Sequence, residues 1–136
     1  VKGYKKALIE YGAEIKDEYI KHGSYSCEIG YELTSELLEL KEKPTAIICG
    51  DDYMGIGCLN AIRKKCLECP KDISVICFGD FPIARFTQPP LSTVRINFYE
   101  MGRQLAEMVI KLINNEKPED PVILNGEIIL RESTGP

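Results

Sequence analysis

Two acid-bearing segments, Gly50-Asp51-Asp52 and Gly79-Asp80, hold the groups of this chain best suited to chemistry. Each follows a short apolar run, Thr45 to Cys49 and Ile73 to Phe78, of the kind that forms a strand buried on both faces. Such strands belong to parallel sheets covered by helices, and those sheets bind ligands beyond the carboxyl ends of their strands. Adjacent parallel strands would bring both acidic loops to one sheet edge. Carboxylates there can accept hydrogen bonds from the hydroxyls or amines of a small polar ligand. An alternative stays open for Asp51 and Asp52, which can equally cap the helix that follows them.

Other chemistries find little support. The chain has one histidine, His22, with no G-x-S-x-G elbow, no phosphate-binding loop and no Ser/His/Asp order. A receiver domain would also place paired acids after a strand, but its Lys after a later strand is missing. Cys66-Leu-Glu-Cys69 has redox or zinc spacing, yet it precedes Pro70 at a helix exit, and no second ligand pair accompanies it. Cys49 and Cys77 end apolar strands and Cys58 lies inside a helical pattern, as small buried hydrophobes do in a reducing compartment. No catalysis, cofactor or metal is expected. A small α/β enzyme is therefore the weakest of the functional alternatives.

The net charge of −4 argues against nucleic acid being held by this stretch itself. The basic run Arg63-Lys64-Lys65 lies in a predicted last helical turn, where cations complement the dipole. No run approaches the about 18 apolar residues of a membrane helix, and no signal peptide opens the chain. The start at Val1, without methionine, suggests a fragment.

The elements that must position the acids are legible in the periodicity. Helices are predicted over 3–12, from Ser26 as cap through Leu40, over 52–65 and over 99–114. The last carries Met101, Leu105, Met108, Val109 and Leu112 along one side. Strands are predicted near Tyr19 to His22, at Thr45 to Cys49 and at Ile73 to Phe78, with an extended piece at Thr93 to Ile96. Asn125-Gly126 between 121–124 and 127–130 signals a hairpin. The alternation gives an α/β fold with a largely parallel sheet flanked by helices.

Five ordered segments resemble lac/gal repressor-type transcriptional regulators. Pro44-Thr-Ala-Ile-Ile-Cys-Gly-Asp-Asp-Tyr-Met-Gly-Ile-Gly57 is similar to that family's P-T-A-I-x-x-x-N-D-x-M-A-x-G, and Pro70-Lys-Asp-Ile-Ser-Val-Ile-Cys-Phe-Gly-Asp80 to its P-x-D-I-S-V-x-G-F-D-D. Pro89-Pro-Leu-Ser-Thr-Val-Arg95, Met101-Gly102 and Leu130-Arg-Glu-Ser-Thr-Gly135 follow in family order, and Gly3-Tyr4 and Gly30-Tyr31 match as well.

The resemblance implies the incomplete C-terminal lobe of a type I periplasmic-binding-protein-like effector domain. Residues 1–95 would be mainly that lobe, 96–120 a crossover and a helix of the N-terminal lobe, and 121–136 a return segment. It implies a small-molecule effector, such as a sugar, in the cleft between the lobes. It also implies a homodimer and a cytoplasmic repressor that meets operator DNA only through an absent headpiece, with no membrane partner. By position, Tyr25 resembles the aromatic that stacks on the effector. Asp51 takes the place of a ligand-binding Asn, and Phe78, Gly79 and Asp80 fall in the ligand loop. Ile96 and Phe98 fall at crossover positions that line the cleft in the family. Gly79 stands where the family commonly has an Asp that grips hydroxyls. Ile56 and Thr87 are the implied dimer-interface residues, although helical periodicity also allows Ile56 as an ordinary core residue. The rival in another class is a sugar-binding component of a transporter, which shares the fold.

Overall fold

The computed structural model describes residues 1–117 and 123–135. Its helices are α1 (Lys2–Glu10), α2 (Cys27–Glu39), α3 (Asp52–Lys64) and α4 (Phe98–Ile113), and its strands are β1 (Ala46–Ile48), β2 (Ser74–Gly79), β3 (Ser92–Arg95) and β4 (Glu127–Ile129). The sheet order is β1-β2-β3-β4. The first three strands run parallel, with Ile47 opposite Val75 and Cys77 opposite Thr93. β4 closes the far edge antiparallel to β3, pairing Ile128 with Val94.

Caps fix where the helices start. The Ser26 side chain accepts from Ile29 N at 3.2 Å, and Asp51 accepts from Met54 N at 2.8 Å. α2 and α3 then pack so closely that glycines must form the contact. A Cβ added at Gly57 would lie 2.0 Å from the Cys27 carbonyl oxygen, and one at Gly30 would lie 2.2 Å from that of Met54. Because backbone cannot retreat as a side-chain tip can, Gly57→Ala is expected to destabilise the fold by about 1–3 kcal/mol. Urea unfolding checks this, and an unchanged midpoint would sink it.

One sheet face is buried beneath this helix pair. Ile47, Val75, Cys77 and Thr93 point inward, joined by Leu37, Leu38, Cys58, Leu59, Ile62 and Leu91. The three core cysteines are free thiols, as their apolar setting predicts. A hydrogen bond with Cys49, then burial, pushes the Cys58 thiol well above its ordinary pKa. Cys69 is half-buried with its Sγ donating to the Ser133 carbonyl at 3.3 Å, and burial raises its thiol to about 11. At the amino ends of the strands, the buried Ser133 hydroxyl accepts from Ser92 N at 2.8 Å and donates to the Val75 carbonyl at 2.6 Å. That serine latches the last described segment to the sheet.

Three expectations need correction. The apolar runs predict burial on both faces, but Ala46, Ile48 and Phe78 stay exposed. The reason is that α1 and α4 bury no residue, so the second face has no lid. α4 has the predicted apolar side, yet Leu105, Val109 and Leu112 remain exposed. Residues 19–22 form no strand. Asp17–Tyr19 is a 3-10 turn, and the extended residues after it have no strand beside them to complete a ladder. The hairpin is also absent from the described residues: Glu127–Ile129 takes β3 as its partner, residues 123–124 carry no strand, and 121–122 lie outside the described residues.

β1 is the other edge of the sheet. A cavity of 380 Å³ is lined there by Tyr4, Ile20, Leu33, Ile47 and Ile48 among others. It reaches the carboxyl ends of the strands at Tyr25, Cys49, Gly50, Met54 and Phe78.

Candidate functional site

The parallel register sends β1, β2 and β3 out at one edge, so both acidic loops do meet there. Their carboxylates have different tasks. Asp51 is the N-cap of α3, using Oδ1 on Met54 N, and its side chain is partly accessible. Asp52 turns into the protein and is fully buried. Its Oδ2 accepts from Phe81 N at 2.7 Å and its Oδ1 from Thr93 Oγ1 at 2.8 Å. Burial raises the Asp52 pKa against the lowering pull of those two bonds. This acid ties α3 to the loop after β2 and to β3.

Asp80 has φ +58° and a side chain only 2% exposed. Arg95 Nε donates to its Oδ2 at 2.8 Å, Arg131 Nη2 donates to Oδ1, and Arg85 stands 3.6 Å away. Burial alone would raise its pKa, but the hydrogen bonds and charges of Arg131 and Arg95 outweigh it and hold the carboxyl below its ordinary range. Arg95 also donates to Glu127, joining β3 and β4 by their side chains.

The remaining predicted residues are mostly unpolar surface. Tyr25 is 72% exposed and leans over Gly50, where an added Cβ would meet its ring at 2.7 Å. Phe78 is exposed at the end of β2, and Gly79 is buried with φ +125°. Ile96 is half-buried just beyond β3. Phe98 opens α4, its ring stacked on Phe81 with centroids 5.7 Å apart. Of the two interface candidates, Ile56 is partly buried and packs against the core. Thr87 donates its hydroxyl to the carbonyls of Pro89 and Ala84, at 2.8 and 3.1 Å.

Several residues at this edge escaped the sequence reading. Arg131 is 51 positions from Asp80 and meets it only through the fold. Tyr53 and Phe81, which touch with centroids 5.7 Å apart, had a signal available: each follows an acidic strand exit directly. Among the described residues, no group of His, Cys, Asp and Glu is placed to hold a metal, and no helix is long and apolar enough to cross a membrane.

The family profile of the periplasmic binding protein-like domain matches residues 1–134. The chain belongs to that family. Within the periplasmic binding protein-like proteins, its relatives are LacI-type regulators, as the five sequence segments imply. Catabolite control protein A of Priestia megaterium is 35% identical over 135 residues, which is 98% of this chain and 41% of that protein. A structure described as a transcriptional regulator LacI from Bacillus cereus subsp. cytotoxis matches with a TM-score of 0.92 at 34% identity, over 98% of this chain and 48% of its own. A transcriptional regulator CelR–cellobiose complex matches with a TM-score of 0.89 at 26% identity, over 96% of this chain and 40% of its own. The chain thus spans about two fifths of the length of the curated relatives it matches. Open α/β sheets in general bind ligands outside the carboxyl ends of their strands.

Proposed function

We propose that this chain is the effector-sensing and dimerisation part of a DNA-binding transcriptional regulator, a repressor working in the cytoplasm, and that it catalyses no reaction. The observation that carries the reading is the convergence of three parallel strand ends on one open edge, with Tyr25, Asp51, Phe78, Gly79 and Phe98 around it. Residues 1–95 are mainly one lobe in this reading, and the segment from residue 96 through α4 crosses to a second. The uncovered apolar side of α4 supports that division, because a helix so patterned is made to pack.

The effector is a small polar metabolite of the sugar class, in keeping with the cellobiose carried by the CelR structure. It binds between the lobes, with Asp51 accepting from its hydroxyls and Asp80 and Ile96 shaping the pocket wall. A homodimer forms along the side of α3 near Ile56 and the segment at Thr87. Ligand favours one lobe arrangement over another, and DNA affinity follows because the two binding events share that equilibrium.

The test uses the full-length protein and the DNA upstream of its own gene, followed by fluorescence anisotropy across a panel of mono- and disaccharides. At least one sugar is expected to change DNA affinity by about tenfold. Asp51→Ser keeps the helix cap and removes the second carboxylate oxygen, so it should abolish the sugar response while leaving ligand-free DNA binding in place. Absence of sequence-selective DNA binding would sink the regulator reading. A sugar response unchanged in Asp51→Ser would sink the placement of the site.

A further inference from the structure

Cys66-Leu-Glu-Cys69 takes no part in the site above, and the structure gives its first thiol an uncommon setting. α3 ends in a turn closed by two backbone bonds, from Cys66 N to the Arg63 carbonyl at 3.0 Å and from Leu67 N to the Ile62 carbonyl at 3.1 Å. That closure puts the residue after the cap in the left-handed region, which glycine occupies most easily. Here the residue is Cys66, with φ +56°. The turn therefore holds an exposed thiol on a strained backbone position.

Cys69 has the opposite setting. It is half-buried on the wall of a groove it shares with Leu59, Leu67, Pro70 and Pro89. Its Sγ donates to the Ser133 carbonyl at 3.3 Å, the oxygen that also accepts from Val75 N at 2.7 Å. Burial raises this thiol to about 11, so at neutral pH it keeps its proton and remains a donor. Ser133 is tied to β3 as well, its N–H to the Pro90 carbonyl at 3.1 Å and its hydroxyl to Ser92 N at 2.8 Å. From the same segment Arg131 reaches the Leu91 carbonyl and Asp80, at the other end of the strands. The loop joining the two cysteines is pinned on its far side, where Glu68 N donates to Asp72 Oδ2 at 2.7 Å and Asp72 N to the Glu68 carbonyl at 2.8 Å. Both thiols thus sit on one short strap between α3 and β2, one open to solvent and one fastened to the last described segment.

We infer that Cys66 and Cys69 form a redox-sensitive latch, which a hydroperoxide closes into a disulfide and so loosens residues 131–135 from the sheet. Cys66, as its thiolate, attacks the peroxide oxygen. Its sulfur becomes a sulfenic acid, and the other half of the peroxide leaves as an alcohol, or as water from hydrogen peroxide. The Cys69 sulfur then attacks the Cys66 sulfur, and the sulfenic hydroxyl leaves as water with the Cys69 proton. Two thiols give up two electrons and two protons, and the peroxide takes them. A disulfide has no S–H, so the bond to the Ser133 carbonyl is lost until a thiol reductant restores it. Disulfides that form and reopen in this way suit a compartment that otherwise keeps thiols reduced. The inference does not depend on the effector-site reading.

The full-length protein tests it, treated with hydrogen peroxide, alkylated and mapped by mass spectrometry, with amide hydrogen exchange followed before and after. The expected product is a peptide lighter by two hydrogens, with Cys66 joined to Cys69. Exchange at Val75, Ser92 and Ser133 should quicken by about threefold or more, and dithiothreitol should reverse both changes. Cys66→Gly suits the left-handed turn and keeps the Cys69 bond, so its exchange should not respond to peroxide. Thiols that stay free, a Cys66 that ends as sulfinic acid, or a Cys66 that pairs with a second copy would each overturn the inference. So would a Cys66–Cys69 disulfide that leaves the three amides unchanged, or a peroxide response that survives in Cys66→Gly.

Discussion

Asp80→Ala is expected to lower the stability of this fold by about 3 kcal/mol, seen as a reduced denaturant midpoint with an unchanged slope. The substitution leaves Arg95 and Arg131 facing one another with nothing between them. Breaking a fully buried pair costs about 3–5 kcal/mol. The lower end applies because Arg95 is 42% exposed and regains some hydration. The pH dependence has a definite sign. A folded-state pKa held below the unfolded value of about 3.9 gives stability that is present above that value and lost as pH falls through the folded one. Asp80→Asn should accordingly flatten the acid limb of the stability curve while remaining destabilised at neutral pH. An acid limb identical to the parent chain would sink the assignment.

Asp52→Ala carries the second large effect, an expected loss of about 2–4 kcal/mol, because the Phe81 N–H and the Thr93 hydroxyl lose their buried acceptor together. Asp52→Asn behaves differently. Its amide oxygen can still accept from Phe81, but its amide nitrogen can only donate to Thr93 Oγ1 and leaves the Thr93 hydroxyl proton without this acceptor, so the cost should fall below the alanine loss, at about 1–2 kcal/mol. Here burial raises the folded pKa, so the acid's contribution is fully present below about pH 3.9 and declines as pH rises through the folded value. Urea unfolding at pH 4 and pH 7 should therefore show Asn gaining on Asp at the higher pH. Equal stability of the Ala and Asn variants would refute the role given to this carboxylate.

These two acids also mark where the sequence stops being legible. Asp51, Asp52 and Asp80 could be placed at strand exits, because apolar runs and helix caps are local signals. Which of two adjacent acids caps the helix and which turns inward depends on backbone phase at one residue, and no spacing rule reaches that far. Arg131 joins Asp80 only once β3 and the last described segment lie side by side. The strand at 127–130 is where the sequence puts it, but its partner is not, for a related reason. Asn125-Gly126 is a strong local turn signal, but the free edge of β3 offered Glu127–Ile129 a longer-range partner. The segment at 19–22 reads as a strand from its composition, but Tyr19 closes a 3-10 turn and the residues after it join no ladder. Gly79 was legible as a departure from the family pattern, whereas its φ of +125° and the ring of Phe81 beside it belong to the structure alone.

The bare side of β1 has a consequence for how this stretch behaves at high concentration. Natural sheet edges are blunted by lysine, proline, bulges or very short exposure, which act as gatekeepers against pairing between molecules. Thr45 to Cys49 carries no lysine or proline and relies on the shortness of β1, while Ile48 stands 55% exposed beside the open cavity. The residues are those of an interior strand set at a margin. Whatever shields that margin governs the solubility of this stretch as much as its stability.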